Sequence, residues 1–478
     1  MGIWNKRRAS GQDTALKEGD RKKTKRRKKK FQGARLEINS LEGIEIGEEY
    51  QRILSAIETC IPFIFVTGKA GTGKTTLIDV IRAKSRKKMV VVAPTGVAAI
   101  NAKGVTIHSF FRFPPVIIQK SNIKMLPDRT VISELELLVI DEVSMVRPDV
   151  VDGIDLFLQK NKGNRLPFGG VQVLFIGDLF QLSPVVRPKD REVLTELDYD
   201  NEYFFSAHSL RDEKIFAIEL SKIYRQEDRD FINALNKIRC GEDLDAALDV
   251  INRNAFRADY VPKSDVMLTC TNSIADRENS AKLDGIKSEV YEFEGEFKGD
   301  FSLEDERLPS SLNLKLKLGS QVMFTKNDEM KRWVNGTIGI IRDIDQQKIT
   351  VELVFNEGSP VYEISRVTWT EHKYEYDETE DKIVARVKSE YIQYPLMLAW
   401  AITIHKSQGK TLDRVYIDLG NRAFAPGQVY VALSRARRLS NLRLARPIRK
   451  ADIICNDNIV HFYRAMKEIE TQIKNIDN

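Results

Sequence analysis

The chain has 478 residues, 42% of them hydrophobic, which suggests roughly three globular domains rather than a single core. The longest mainly apolar stretch, Tyr394 to Ile404, is too short to span a bilayer, and the polar, basic start of the sequence predicts no signal peptide. The cysteines at 60, 240, 270 and 455 lack zinc or disulfide spacing. We therefore expect an intracellular protein with no membrane partner.

The formal charge of +6 is unevenly distributed. Residues 1–35 hold 14 Lys/Arg against three acids, a net of +11, which leaves −5 for the remainder. The run from Lys22 to Lys30 has no apolar periodicity and predicts a disordered basic arm. A nucleic-acid-binding arm is favoured over a nuclear localisation signal or a solvated tail. The arm leaves the nucleus open as a location, beside the cytoplasm or nucleoid of a bacterial or viral protein.

A glycine-rich loop after the first apolar strand predicts a phosphate site. Phe63 to Val66 is typical of a buried strand, and Thr76 to Ile81 can open a helix. Backbone N–H groups at such a helix start bind phosphate oxygens, whereas a glycine turn without these flanks would bind nothing. Lys74 would reach the β- and γ-phosphates, and Thr75 would hold Mg²⁺. The predicted nucleotide-binding residues of the loop are Gly68, Ala70, Gly71, Thr72, Gly73, Lys74, Thr75 and Thr76.

Short apolar runs alternate with longer amphipathic stretches along most of the chain. The runs Met89–Ala93, Glu134–Ile140, Val171–Ile176 and Val266–Thr269 predict strands of a parallel sheet, hence an α/β fold. Residues 318–392 differ, because their runs are separated by Asn/Asp/Gly turns and predict an all-β insertion with an acidic tip at residues 375–381. The predicted strands there are Gln321–Thr325, Thr337–Ile344, Ile349–Phe355 and Ile383–Ile392.

Polar residues follow two of the predicted strands. Asp141 would bind Mg²⁺, and Glu142 would take the proton from the attacking water, although polar residues also end strands without any such role. Gln181 could orient that water beside the γ-phosphate.

Ten motifs in a fixed order extend this pattern from residue 62 to residue 440. They are Gly68–Thr76, Ala93–Ala98, Thr106–Phe110, Ile140–Met145, Pro167–Gly170, Gly177–Val185, Tyr224–Gln226, Asn335–Gly339, Ala401–Gly409 and Gln428–Arg437. The set resembles the Pif-type (petite integration frequency) DNA helicases and, more widely, the RecD-like 5′→3′ helicases of superfamily 1B.

The resemblance implies two RecA-like domains with an ATP site between them. The implied division is a basic arm over 1–35, a first RecA-like domain over 36–220 with a small wedge near 112–129, a second over 221–317 and 393–445, an SH3-like β insertion over 318–392, and a helical tail over 446–478. Arg225 and Arg435 would act as arginine fingers, since a cation from the second domain makes hydrolysis depend on closure. Surface ion pairs are the alternative for both.

The same resemblance places Gly409 at the nucleotide and a glutamine upstream of the loop at the adenine. Gln51 is the candidate, although Tyr50 lies nearer the expected register. The implied DNA-contacting residues offer short donors to phosphates or rings to bases, without sequence readout: Thr95, His108, Ser109, Phe110, Thr271, Asn272, Trp333, Asn335, Thr403, His405 and Lys406. For Phe110 and Trp333, a buried aromatic is an equal alternative.

The sequence thus predicts an ATP- and Mg²⁺-dependent 5′→3′ DNA helicase. It would translocate as a monomer on single-stranded DNA and unwind forked or tailed duplex DNA. The alternatives are an RNA helicase or a phage helicase of the Dda kind from the same superfamily, and a nucleic-acid-binding NTPase that does not unwind.

Overall fold

The computed structural model of the chain describes residue 44 and residues 46–226, 228–299, 301, 308–355 and 358–476. The basic arm predicted over residues 1–35 lies outside them. Among the described residues, none of the helices combines the length and apolar character needed to cross a membrane.

Helices and strands alternate over the first part of the chain. They are α1 (Glu48–Glu58), β1 (Phe63–Gly68), α2 (Lys74–Lys84), β2 (Met89–Ala93), α3 (Gly96–Asn101), β3 (Val105–Thr106), α4 (Ile107–Phe111), α5 (Thr130–Glu134), β4 (Leu137–Ile140), α6 (Pro148–Lys162), β5 (Gln172–Ile176), α7 (Pro188–Glu196) and β6 (Phe216–Leu220). The next elements are α8 (Arg229–Cys240), α9 (Leu244–Ala255), β7 (Val266–Thr269) and α10 (Asn272–Asp284).

Strands then dominate before the helices return. The strands are β8 (Val290–Glu294), β9 (Glu296–Lys298), β10 (Asn313–Lys317), β11 (Gln321–Phe324), β12 (Ile338–Ile344), β13 (Ile349–Leu353), β14 (Val361–Ile364), β15 (Val367–Asp377), β16 (Lys382–Gln393) and β17 (Leu396–Leu398). The last elements are β18 (Ala401–Thr403), β19 (Val415–Asp418), α11 (Gln428–Leu433), β20 (Leu442–Leu444) and α12 (Asp457–Ile476).

The first domain is built on a six-stranded parallel sheet in the order β3-β2-β4-β5-β1-β6. All residues of β1, β4 and β5 are buried, since helices cover both faces of the sheet. Along β1, Phe63 and Phe65 face the core that holds α6, while Ile64 and Val66 face the core that holds α1 and α2. This two-sided burial explains why the strands are continuous apolar runs in the sequence.

The second domain has a four-stranded parallel sheet in the order β18-β7-β19-β20. Its core is formed with α8, α9 and α11. The predicted α/β class with two parallel-sheet domains is confirmed. In the chain, β7 and β18 are separated by the strands of the insertion, yet they pair side by side from Ala401 against Met267 to Thr403 against Thr269.

The β-rich part begins at Val290, before the predicted boundary at residue 318. β8 and β10 pair antiparallel, and their inward side chains, including Phe293 and Leu316, join the core of the five-stranded sheet β14-β13-β12-β11-β17. The early strands were missed because Glu and Lys interrupt their apolar residues, so no continuous apolar run marks them. That the insertion is SH3-like stays a prediction.

The long hairpin of β15 and β16 reaches the first domain. The Tyr374 hydroxyl accepts a hydrogen bond from the Val91 N–H at 2.9 Å and donates one to the Val91 carbonyl at 3.3 Å. β3 pairs with β2 only at Val92 and Ala93, so the N–H and carbonyl of Val91 on this side of the strand bond to the tyrosine instead of to β3. The acidic stretch predicted at a tip forms the turn of this hairpin, where Asp381 pairs with Lys88.

Helix α12 returns from the second domain to the first. Its Phe462 stacks on Phe205 with ring centroids 4.3 Å apart, and Ile459 and Met466 are buried in the core beneath the first sheet. The C-terminal helix therefore ties the end of the chain to the domain that holds the glycine-rich loop.

Candidate active site

The glycine-rich loop adopts a backbone that its glycines require. Gly71 and Gly73 have φ values of 82° and 86°, in the left-handed region where side chains are strained. A Cβ on Gly71 would lie 2.5 Å from the Cβ of Arg225. Gly73 is the N-cap of α2, so the free N–H groups of the first helical turn lie at the loop, as an anion site requires.

Lys74 begins α2 and folds back over the loop. Its Nζ donates to the carbonyls of Gly68 and Lys69, at 2.6 and 3.0 Å. Burial lowers its pKa, and the nearby carboxylates of Asp178 and Glu142 oppose that effect. Thr75, the next residue, is exposed at the start of the helix, where its hydroxyl is accessible.

Asp141 and Glu142 follow β4 as predicted. Burial, and next the Glu142 carboxylate, raises the pKa of Asp141 to about 7, and burial also raises the pKa of Glu142. A cation beside this pair would offset both effects, and the hydroxyl of Thr75 and the carboxylate of Asp141 are oxygen ligands of the kind Mg²⁺ prefers. No cluster of three metal-ligating side chains occurs in the described ranges.

Two contacts fix the side chains around the predicted catalytic base. Gln408, from the second domain, donates its Nε2 to Glu142 Oε2 at 3.0 Å. In the first domain, the buried Gln181 donates its Nε2 to Asp178 Oδ2 at 3.2 Å.

Both predicted arginine fingers are held by backbone carbonyls. Arg225 donates to the Gly409 carbonyl at 3.2 Å, and the fully buried Arg435 donates to the carbonyls of Val431, Ser407 and Lys410 at 2.8 to 3.3 Å. Burial lowers the pKa of Arg225 to about 10; burial and then Arg225 lower that of Arg435 to about 9. These contacts with backbone oxygens favour the finger interpretation over a surface ion pair, and two neighbouring guanidinium groups suit a polyanion.

The upstream contact to the loop comes from Tyr50 rather than Gln51. The Tyr50 hydroxyl donates to the Gly73 carbonyl at 2.9 Å, whereas Gln51 is exposed on α1. Helical spacing turns adjacent residues to different faces, so only the tyrosine meets the loop. The adenine contact predicted for Gln51 gains no support from this position. Tyr224, 58% exposed and 3.9 Å from where a Gly73 Cβ would lie, places a second ring beside the loop, with the Lys222 Nζ 5.2 Å from its centroid.

Several predicted DNA contacts occupy equivalent places in the two domains. Thr95 follows β2 as the N-cap of α3, and Thr271 follows β7 as the N-cap of α10. Ser109, Asn272 and Lys406 are exposed. His108, His405 and Asn335 are half-buried, and Asn335 accepts a hydrogen bond from Lys410 at 2.7 Å.

Two of the predicted DNA contacts are buried in this conformation, and their role at DNA stays a prediction. Trp333 is 7% exposed, with the Phe324 ring 4.4 Å away and the Arg332 guanidinium 4.5 Å from its centroid, so it has no free face for a base. Thr403 is buried, and its hydroxyl accepts from the Lys406 N–H. Phe110 is half-buried against Phe111 and the hairpin, intermediate between the two alternatives.

Sequence reasoning missed the residues that join the domains across the site. Gln408 contacts Glu142, and the Tyr430 hydroxyl accepts a hydrogen bond from the Ala70 N–H at 3.1 Å. Gln408 lies in the motif Ala401–Gly409, and Tyr430 lies in the motif Gln428–Arg437. Their position in these motifs, as polar side chains without a predicted role, was the available signal.

Comparison with known proteins adds an independent line of evidence. A family model described as PIF1-like helicase matches residues 46–247, and one described as helicase matches residues 378–473. The ATP-dependent DNA helicase PIF1 of Mus musculus is 33% identical over 85% of this chain, and the chain spans only 60% of that protein. The Pif1 helicase of Bdellovibrio bacteriovorus is 32% identical over 84% of this chain and 88% of its own length.

Solved structures agree. The structure of a Bacteroides sp Pif1 with ADP-AlF4 has a TM-score of 0.81 at 37% identity, covering 89% of this chain and 98% of that one. The single-stranded-DNA complex of Bacteroides Pif1 has a TM-score of 0.64 at 36% identity and the same coverage. With the motifs in order and with contacts between the two domains at the glycine-rich loop and at Glu142, this chain belongs to the PIF1-like helicase family.

Proposed function

We propose that this protein is an ATP-dependent DNA helicase that moves 5′→3′ along single-stranded DNA and separates duplexes. The observation that carries the proposal is the convergence of both domains on one phosphate site. The loop and Glu142 come from the first domain, while Gln408 and Arg435 come from the second. Hydrolysis at such a site responds to the relative position of the domains, which is what a translocating motor needs.

The residues divide the chemistry between them. The loop amides and Lys74 hold the nucleotide phosphates, and Glu142 accepts the proton of the water that Gln181 orients. Arg225 and Arg435 stabilise the charge that develops on the transferred phosphoryl group. Mg²⁺, held by Thr75 and Asp141, would neutralise phosphate charge when bound.

Support for a nucleic-acid track comes from the surface and from relatives. The similar solved structures include Bacteroides Pif1 bound to single-stranded DNA and one described as DNA unwinding at forked duplex by two coordinating Pif1 helicases. In this chain, Thr95 and Thr271 start helices at matching positions of the two sheets. Helix N-termini and short donors bind phosphates without contacting base edges. Two equivalent phosphate sites, one in each domain, would therefore let a strand move from one domain to the other.

The segment predicted as a wedge is hydrogen-bonded to the start of α6 and carries exposed apolar side chains. Asp149 of α6 accepts from the Ile118 N–H at 2.7 Å, and Arg147 donates to the Val116 carbonyl at 2.9 Å. Val116 and Met125 are 52% and 54% exposed. A fixed apolar edge beside the strand path can separate stacked bases.

Unwinding of matched short duplexes tests this function. We expect release of the strand from a duplex with a 5′ single-stranded tail, only with ATP and Mg²⁺, and little from the same duplex with a 3′ tail. Glu142→Gln protein serves as the matched control. Preference for the 3′ tail would overturn the polarity, unwinding of an RNA duplex alone would favour an RNA helicase, and ATP hydrolysis without any unwinding would indicate a nucleic-acid-binding NTPase.

A further inference from the structure

A buried ion pair joins the two domains beside Gln181. Arg239, at the end of α8, donates its Nε and NH2 to Asp178 Oδ1 at 3.2 and 3.0 Å. The two side chains are 2% and 0% exposed. α8 packs in the core of the second domain, whereas Asp178 follows β5 of the first. The chemistry described above makes no use of Arg239.

Three other groups enclose the Arg239 guanidinium. It lies 4.4 Å from the ring centroid of Phe180 and 5.2 Å from that of Tyr463, which is on α12. Its NH1 is 3.6 Å from Glu219 Oε1. The two rings and the ion pair together restrict the orientation of the guanidinium group. That orientation depends on the first domain, the second domain and the C-terminal helix.

Asp178 transmits this orientation to Gln181. Oδ1 accepts from Arg239 and from the Phe180 N–H, the latter at 3.3 Å, while Oδ2 accepts from Gln181 Nε2 at 3.2 Å and from the Tyr430 hydroxyl at 3.5 Å. A carboxylate accepts only, so the amide nitrogen of Gln181 must face Asp178, and its carbonyl oxygen remains as the acceptor for water. Rotation of the Asp178 carboxylate would turn the amide with it.

We propose that Arg239 is a positioning residue for ATP hydrolysis, which holds Asp178 and, through it, the water-orienting amide of Gln181. The inference rests on the proposed ATP hydrolysis. It predicts that the orientation of Gln181 is complete only when α8 is docked against the first domain. Arg239 itself would touch neither nucleotide nor water.

A double-mutant cycle with Arg239→Gln and Gln181→Ala tests the inference in the full-length protein at saturating single-stranded DNA. Arg239→Gln should lower kcat for ATP on the order of 10–100-fold, as for other residues that orient a catalytic group, with KM changed less than about threefold. In the Gln181→Ala background the same substitution should lower kcat less than about threefold, because its route of action is already removed. Equal losses in both backgrounds would overturn the proposal.

Arg446 provides the matched control. It forms a bidentate pair with the buried Asp452, at 2.7 and 2.8 Å, in the segment between β20 and α12. Arg446→Gln should lower the melting temperature while kcat stays within about twofold of wild type. A kcat loss as large as that of Arg239→Gln would show a general effect of destabilisation and refute the positioning role.

If Arg239→Gln does not fold, Arg239→Lys replaces it in the double-mutant cycle, because lysine keeps the positive charge but lacks the two-pronged hydrogen bonding of the guanidinium group. Hydrolysis by the wild-type protein is measured first. Its absence would refute the proposed function and this inference together, whereas hydrolysis with additive losses would refute this inference alone.

Discussion

Single residues of the site separate nucleotide binding from hydrolysis. Lys74 lies within the loop, bonded to its carbonyls, while Glu142 lies at the domain boundary with Gln408. Removal of the first should therefore weaken phosphate binding, and neutralisation of the second should remove only the base.

We expect Glu142→Gln to retain ATP binding and to lower DNA-stimulated turnover by about 10²–10⁴-fold, the usual contribution of a general base. Lys74→Ala should weaken nucleotide binding as well. Phosphate release and binding of a fluorescent ATP analogue measure the two effects. Glu192→Gln makes the same charge change on the exposed face of α7 and should leave both unchanged. Wild-type turnover by Glu142→Gln protein would show that the base lies elsewhere.

Arg225→Ala and Arg435→Ala should each lower ATP turnover by about 10³–10⁵-fold and abolish unwinding. Both guanidinium groups contact carbonyls at the nucleotide cleft, so DNA affinity without nucleotide should change little. Exposed Arg422→Ala is the control. Because Arg435 is fully buried, Arg435→Lys and a thermal melt distinguish lost catalysis from lost folding. A tenfold loss of DNA affinity in either variant would assign that arginine to the DNA groove.

Among the elements, the β15–β16 hairpin carries a buried histidine at its contact with the first domain. His372 is 7% exposed, and its Nδ1 has no hydrogen-bond partner among the described groups. Burial, then the charges of Arg82 and Lys103, lowers its pKa from 6.5 to about 4. Asp79 Oδ1 lies 3.7 Å from Arg82 NH1 and 3.9 Å from Lys103 Nζ. The two cations that face the histidine are therefore already paired with a carboxylate.

Because the folded pKa lies below the unfolded one, the unfolded chain binds the proton first and stability falls as pH decreases from about 6.5 towards 4. Between pH 7.5 and pH 5 the loss assigned to His372 is roughly 2 kcal/mol. Urea unfolding of the wild type and of His372→Gln at both values measures it. The variant should lose that much less stability on acidification. Parallel losses in the two proteins would show that His372 titrates normally.

At the scale of the whole molecule, the basic arm would add affinity without specificity. Its net +11 could place on the order of six Lys/Arg near phosphates, which on single strands steepens the salt slope by about 4. Removal of residues 1–30 should flatten the plot of log affinity against log salt and weaken binding mainly at low salt.

Replacement of the arm's Lys and Arg by Gln in the full chain is the matched control, since it removes charge and keeps length. ATP turnover at saturating DNA should hardly change in either variant, because each proposed catalytic group lies at or after Lys74. An unchanged salt slope would leave the arm as a localisation signal or a solvated tail.

The sequence alone determined the features that depend on neighbouring residues. The loop from Gly68 to Thr75 and the carboxylates after β4 agree with expectation. Local backbone rules act here: glycines permit positive φ, strands buried on both faces must be apolar, and helix-forming patterns repeat over a few residues. Ordered motifs then identified the family.

Only the tertiary structure decided which distant groups meet. Gln408 and Glu142 are 266 positions apart, and Tyr430 and Ala70 are 360 apart. The cover of Trp333 by Phe324 and Arg332 could not be read from the sequence, and the early strands of the insertion became visible only through their partners. Such contacts arise when the whole chain buries its surfaces together, and periodicity along the sequence carries no record of which surface meets which.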